Sequence, residues 1–398
     1  MIVFGGRLWV FERIFVALPT FQNSYIITAR SQPCYSYYAN IVPLPNGNLW
    51  FYSAPAMYDA DACDYEPAGS PATAPPASFL TNLTNDLERA IQAGFPQLTV
   101  IIHGLGNLFT DSIAEMSTTG AGLQQWGQYG GLVISFDWPS YDMLDSATYY
   151  ASLPYSFPPK KTSGTIRDNI NGTLAGFANL ITMLQGIRNQ YSEVKINFIC
   201  HSEGNYMMML GMSQQSQGQS ALVSQTLLVA ADINDGALQS SGSLSDTGQG
   251  MAISKLSDQV TVYYSSGDDV LPHSEFWLSA YHDPSYNKRL GLEGPYSYET
   301  STTPLAGNTY GVDCSAVIND TVIKKVPQVP PGTSSHSSYF YVPQVLLDWV
   351  ETLIGTVPGQ VANREANTNA QDGQGYIMQF VSPPTDRLAR SSVRRRAS

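Results

Sequence analysis

A serine, an aspartate and a histidine stand in this chain in the order Ser202, Asp268, His336, each on a turn or loop beside an apolar run. Acyl transfer through a covalent intermediate needs these three groups. A hydroxyl attacks, an imidazole takes its proton and returns it to the leaving group, and a carboxylate holds the imidazole in the correct tautomer. Ser202 lies in Lys195-Ile-Asn-Phe-Ile-Cys-His-Ser202-Glu-Gly204-Asn-Tyr-Met-Met-Met. The β-branched run Ile196 to Ile199 reads as a short buried strand and the residues from Gly204 as a helix, so Ser202 falls on the turn between them. Such a turn is a nucleophile elbow: it strains the serine backbone and lifts the hydroxyl above the sheet. Small residues are needed two positions before and two after, where strand and helix nearly touch. Cys200 and Gly204 occupy those positions.

Five histidines compete for the role of base. His103 and His201 belong to the loop after the first central strand and to the elbow itself, and His273 and His282 follow soon after the candidate acid. His336, in Ser334-Ser335-His336-Ser337-Ser338-Tyr339 just before the last helix, has the expected position. For the acid, Asp268 leads, Asp269 is adjacent, and Asp232 at the preceding strand end is third. A strand over Leu98 to Ile102 runs into His103-Gly104-Leu105-Gly106-Asn107. A backbone N–H of such a loop, here Leu105, and that of the residue after the nucleophile, here Glu203, would form an oxyanion hole. Losing one such donor typically costs on the order of 100-fold in rate. No His, Asp or Cys cluster stands at metal-ligand spacing, so neither metal nor cofactor is implied.

These residues need a scaffold that gathers strand ends. Apolar runs at Leu98–Ile102, Leu132–Phe136, Ile196–Ile199, Gln225–Ala231 and Val260–Tyr264 alternate with helical periodicities at Phe79–Ala93, Thr165–Gln190 and Pro343–Ile354. That alternation predicts an α/β fold, a mostly parallel central sheet with helices on both faces and the site at the carboxyl ends of its strands. Residues 1–78 read as extra strands and loops packed on the main domain, with a separate small domain as the alternative. The main domain spans 79–357, with an irregular insertion at 284–335. The aromatic, proline-rich stretch Tyr149–Pro159 could line a substrate mouth or form an ordinary solvated loop. Residues 358–398 read as a polar, arginine-rich, disordered tail. The Met207-Met208-Met209 run reads as core packing.

Composition narrows the partners. Only 13% of the 398 residues are charged, against ~25% in ordinary soluble domains. The net charge is −12, and five arginines lie in the last twelve positions, leaving 15 basic against 31 acidic residues before Asp386. Such a surface argues against nucleic acid and polyanionic substrates. Residues 2–19 are apolar but interrupted by Arg7, Glu12 and Arg13, which fits neither a spanning helix nor an ordinary signal peptide. Four cysteines are too few for a disulfide scaffold. Cys34 and Cys63 could pair in an exported protein, Cys200 is expected to be buried, and Cys314 has no evident mate. Low lysine and abundant Ser, Thr and Asn lean toward export, with the cytoplasm as the alternative. Oligomeric state is not legible.

Six ordered motifs together resemble one branch of the α/β-hydrolase superfamily, mostly bacterial and esterase- or lipase-like. They are Val100-Ile-Ile-His-Gly-Leu-Gly-Asn, Ile134-Ser-Phe-Asp-Trp-Pro-Ser, His201-Ser-Glu-Gly-Asn, Tyr263-Tyr-Ser-Ser-Gly-Asp-Asp-Val-Leu, Arg289-Leu-Gly-Leu-Glu-Gly-Pro and the His336 loop. The order Ser, Asp, His is also that of the superfamily. The resemblance covers about residues 79–355 and implies a serine-hydrolase triad on Ser202, Asp268 and His336. Three positions depart from the usual pattern: Asp137 stands in place of serine, Cys200 in place of a smaller residue, and Glu203 in place of an uncharged one. The expected function is hydrolysis of a carboxylic ester, a small-molecule ester or acyl compound, through an acyl-enzyme. Amide, thioester or lactone cleavage would use the same groups, and a non-catalytic binding or scaffold protein retaining the fold is the rival.

Overall fold

The computed structural model describes residues 2–4, 7–9, 18–31, 42–54, 65–140, 166–215, 221–239, 250–281, 288–295, 305–368, 370 and 374–379. The strands, in chain order, are β1 (Ile2–Phe4), β2 (Arg7–Trp9), β3 (Ser24–Thr28), β4 (Trp50–Ala54), β5 (Gln97–Ile102), β6 (Leu132–Asp137), β7 (Lys195–His201), β8 (Val223–Val229), β9 (Ser257–Tyr264), β10 (Thr309–Asp313), β11 (Arg364–Ala366) and β12 (Gly375–Met378). The longer helices are α1 (Ala77–Gln92), α2 (Phe109–Gly127), α3 (Ile166–Gln190), α4 (Gly204–Gln215), α5 (Met251–Leu256), α6 (Leu271–Tyr281) and α7 (Pro343–Leu353).

Among the described residues, ten strands form one sheet in the order β11-β12-β10-β9-β8-β7-β5-β6-β3-β4. From β12 to β3 every neighbouring pair is parallel, and β11 and β4 close the two edges antiparallel. The central strands are buried from end to end, as β5 shows. Strands covered on both faces must carry apolar side chains on both, which is why they read as continuous runs. Phe198, Val100 and Ile134 belong to the core with α1, α3, α4 and α5, whereas Ile101, Ile199 and Leu227 belong to the core with α2 and α7. In α1 the buried Phe79, Leu83, Leu87 and Ala90 recur at intervals of three and four, the stripe that seats an amphipathic helix on a sheet. Pro343 opens α7, where a missing N–H costs nothing.

The strand order reverses beside β5. The chain passes from β5 outward to β6 and returns on the other side as β7. The loops leaving the carboxyl ends of β5 and β7 therefore diverge, and the crevice between them is where open α/β sheets bind ligands.

Two expectations are corrected. Residues 309–313, inside the stretch read as an irregular insertion, form β10, paired with β9 and β12. Residues 364–366 and 375–378, inside the stretch read as a disordered tail, form β11 and β12, which complete the sheet edge. Arg364, at the start of β11, donates to both oxygens of Asp348 on α7, Nε to Oδ2 at 2.9 Å and Nη2 to Oδ1 at 2.5 Å, and Nη2 also reaches the Tyr263 hydroxyl at 3.0 Å. Both charges are fully buried, and a polar composition hid this anchor. From residues 1–78, β3 joins the sheet beside β6 and carries β4 with it. Cys34, Cys63, Tyr149–Pro159 and residues 380–398 lie outside the described residues. No helix among the described residues is long and apolar enough to cross a membrane.

Candidate active site

β7 ends at His201 and α4 begins at Gly204, so Ser202 and Glu203 are the whole connection. Ser202 has φ 51°, a left-handed conformation that costs a non-glycine residue of order 1–3 kcal/mol. Hydrogen bonds hold it there. Its N–H donates to the Val229 carbonyl at 3.0 Å, and its carbonyl accepts from Asp232 N–H at 3.2 Å and Asn205 Nδ2 at 3.0 Å. The close approach dictates two glycines: a Cβ on Gly204 would stand 2.4 Å from the His103 carbonyl oxygen, and one on Gly104 would stand 2.8 Å from Ser202 Cβ. Cys200 is buried, and burial pushes its thiol pKa well up, which leaves it a packing group.

His336 Nδ1 lies 2.7 Å from Asp268 Oδ2. The other Asp268 oxygen accepts the N–H groups of Val270 and Leu271, each at 2.9 Å, at the start of α6. Asp269 accepts the His336 backbone N–H at 3.2 Å. Asp232 instead accepts from the Ser274 hydroxyl at 2.7 Å and faces Arg289 Nη1 at 3.6 Å. Of the three candidate acids, Asp268 is thus the one on the imidazole. Burial by itself would lower the His336 pKa. The charge and hydrogen bond of Asp268, with Asp232 and Asp269 behind it, overturn that and raise it.

His201 ties this loop to the elbow. Its Nε2 lies 3.1 Å from the His336 carbonyl oxygen, and the two rings stand 4.8 Å apart. Burial, and then the nearby His336, push the His201 pKa down to about 3. A neutral ring facing a carbonyl must carry its proton on Nε2, so His201 is the donor. Among the described residues, no hydrogen bond joins the Ser202 hydroxyl to the His336 ring. His273 is exposed on α6, and His282 lies outside the described residues.

The loop after β5 is fastened at several points. Gly106 N–H donates to the Ser140 carbonyl at 3.2 Å. The Asn107 carbonyl accepts from Arg30 Nη2 at 2.7 Å and from the Ser140 hydroxyl at 3.2 Å. Asn107 Nδ2 donates to Glu115 Oε2 on α2 at 3.1 Å. His103 stacks on Trp138, with ring centroids 5.8 Å apart, and its Nε2 lies 3.0 Å from Asp137 Oδ1. Asp137 also receives Arg30 Nε at 2.7 Å and the Thr28 hydroxyl. Burial would raise the Asp137 pKa, but the Arg30 charge and His103 bring it down to about 2. Leu105 is on this loop and Glu203 on the elbow facing it. Glu203 is buried, and its carbonyl starts α4 by accepting the Tyr206 N–H at 2.9 Å.

Sequence reasoning missed Arg30 and Glu115. Arg30 reaches Asp137 across 107 positions only because β3 runs beside β6 with Thr28 opposite Asp137. An aspartate where serine is usual was the one visible sign that a buried cation had to exist nearby. Glu115 carried no signal, because α2 itself was not legible.

Residues 77–280 match a family described as an alpha/beta hydrolase of unknown function (DUF900). That span contains Ser202 and Asp268. No curated protein matches the chain. Among solved structures it is similar to a cutinase-like protein from Cryptococcus sp., at 12% identity over 65% of this chain and 95% of that one, with a TM-score of 0.27. It is similar also to an esterase from Pyrobaculum calidifontis (12% identity, 65% and 76% of the two chains, TM-score 0.31). A third is the protein TT1662 from Thermus thermophilus (13% identity, 66% and 90%, TM-score 0.32). Likenesses this remote carry no argument about chemistry. The match over half of the sequence does carry one about kinship, and this chain belongs to the alpha/beta hydrolase family of unknown function that its residues 77–280 match.

Proposed function

We propose that the protein is a serine hydrolase that cleaves carboxylic esters through an acyl-enzyme on Ser202. The observation that carries this reading is the 2.7 Å contact between His336 Nδ1 and the buried Asp268, on a loop that His201 fastens to the strained serine turn. In this scheme Ser202 Oγ attacks the ester carbonyl carbon and passes its proton to His336 Nε2. Asp268 holds the Nδ1 proton and stabilises the imidazolium that forms. The oxyanion is received by the N–H groups of Leu105 and Glu203. As the C–O bond breaks, Nε2 returns the proton to the leaving alcohol, and water repeats the sequence to free the acid and Ser202. The contact between hydroxyl and imidazole is often long before substrate is seated. A buried Glu203 beside the developing oxyanion favours neutral or cationic acyl groups over anionic ones.

Turnover of p-nitrophenyl esters of graded chain length by the wild type and His336→Ala tests this. The wild type should show a chain-length optimum, and the variant should lose at least ~10³-fold in kcat. Turnover that survives the substitution contradicts the assigned base. Equal, background hydrolysis by both proteins favours a binding protein built on the same fold. Amides, thioesters and lactones in the same assay identify the bond type.

A further inference from the structure

Glu115 lies about two turns into α2, on the side facing the site. Its Oε2 accepts from Asn107 Nδ2 at 3.1 Å, while its Oε1 is closed off from solvent and has no hydrogen-bond partner among the described residues. Asn107 ends the loop that carries Leu105. Of the other anchors on that loop, Ser140 does not titrate, and Asp137 is held near the bottom of the carboxylate range. Glu115 is the anchor on Asn107 that can change charge without leaving the physiological range.

We propose that Glu115 is a positioning residue for this loop: as a carboxylate it holds Asn107 in place, and on taking up a proton it loosens that hold. The proposal rests on the serine-hydrolase reading for its effect on rate, although the hold on the loop does not depend on it. A carboxylate accepting an N–H makes a charge-assisted bond, roughly twice as strong as a neutral one. The groups facing Glu115 are Asp111 on its own helix, His103 on the loop, His336 on the base loop, and Tyr341 from the segment before α7. Burial raises its pKa. His103 and the Asn107 hydrogen bond pull the other way, and the balance leaves it at about 7. Leu105 acts on the transition state, so loosening its loop should lower kcat and leave KM nearly unchanged.

Two protons would then inhibit on the acid side, one on His336 and one on Glu115. Protonation of Glu115 lowers the rate only by the roughly 3- to 10-fold expected of a neutral partner, so in the wild type it adds a step of that size to the His336 limb near neutrality and leaves the limiting acid slope at about one. In Glu115→Gln, whose amide oxygen still accepts from Asn107 but cannot ionise, that step should vanish and leave the His336 limb alone, and kcat at alkaline pH should drop roughly 3- to 10-fold with KM within about twofold. Asn107→Ala should reproduce the drop in kcat, and it carries the test if Glu115→Gln fails to fold. Hydrogen exchange of the peptide 103–108, corrected for intrinsic rates, is the readout that needs no turnover. Protection should rise with pH through neutrality in the wild type and stay flat in Glu115→Gln. A step near neutrality and a kcat both unchanged in Glu115→Gln, or the same pH-dependent protection in both proteins, overturns the proposal. If Ser202 itself proves inert, the serine-hydrolase reading fails while the exchange experiment still decides the hold on the loop.

Discussion

Burial would strip the His336 ring of its proton, and it is the carboxylates around it, Asp268 first, that raise its pKa instead. In the proposed scheme the neutral ring is the form that accepts the Ser202 proton, so activity should be low below that pKa and climb as pH rises through it. The expected acid limb of kcat/KM therefore lies above the ~6.5 of an ordinary histidine. Asp268→Asn removes the charge nearest the ring, so the limb should move to lower pH, and the rate should fall by about 10⁴-fold because the tautomer is no longer fixed. A pH–rate profile of both proteins checks this, and an acid limb unmoved by the substitution counts against the pairing. His201, neutral at any working pH, adds no charge that would oppose the imidazolium.

At the scale of elements, the elbow is a place where backbones, not side chains, set the limits. Gly204→Ala puts a methyl group 2.4 Å from the His103 carbonyl oxygen, which the Trp138 indole N–H holds at 2.8 Å, so it should cost about 3 kcal/mol or more in chemical denaturation. Gly106→Ala is the contrast: among the described residues no atom lies within 4 Å of its Cβ position, and the positive φ of 79° is what opposes the methyl. It should cost about 1–2 kcal/mol. Equal costs would mean that the elbow has more room than its contacts imply. The strands and turns around this elbow were legible because they are dictated locally: β5, β7 and the serine turn announce themselves by β-branched runs and by glycine spacing. Helix α2 was not, since its buried Phe109, Ile113, Met116, Leu123 and Trp126 are separated by Gly, Ser and Thr residues that blur the helical period. Strand β10 was lost in its surroundings for the same reason, being five residues in a stretch of Gly, Pro and Ser. Ser202, Asp268 and His336 could be named in advance as candidates, and Asp268 and His336 do meet. The Arg30–Asp137 and Glu115–Asn107 contacts could not, because sheet order and helix packing create them.

At the scale of the whole molecule, β11 and β12, inside the stretch read as a tail, are part of the fold. Arg364→Ala would leave Asp348 buried without its partner, a change expected to destabilise by about 3–5 kcal/mol. Replacing both by leucine should recover much of that loss, because the burial cost of both charges disappears with them. Thermal or urea unfolding of the two proteins checks it, and a single substitution that costs nothing would contradict the burial of this pair. Acid stability should depend on Asp137. Its folded pKa of about 2 lies below the unfolded value, so its contribution is present above pH ~4, is lost as pH falls toward 2, and amounts to about 2 kcal/mol. Asp137→Asn should flatten that part of the stability–pH curve.

The central claim is that Ser202 is an activated nucleophile, and reaction with a fluorophosphonate, read by intact mass beside Ser202→Ala, addresses it most directly. A single adduct on the wild type that is absent from Ser202→Ala is the predicted result. A folded wild type that takes up no adduct, or an adduct that persists in Ser202→Ala, would contradict it.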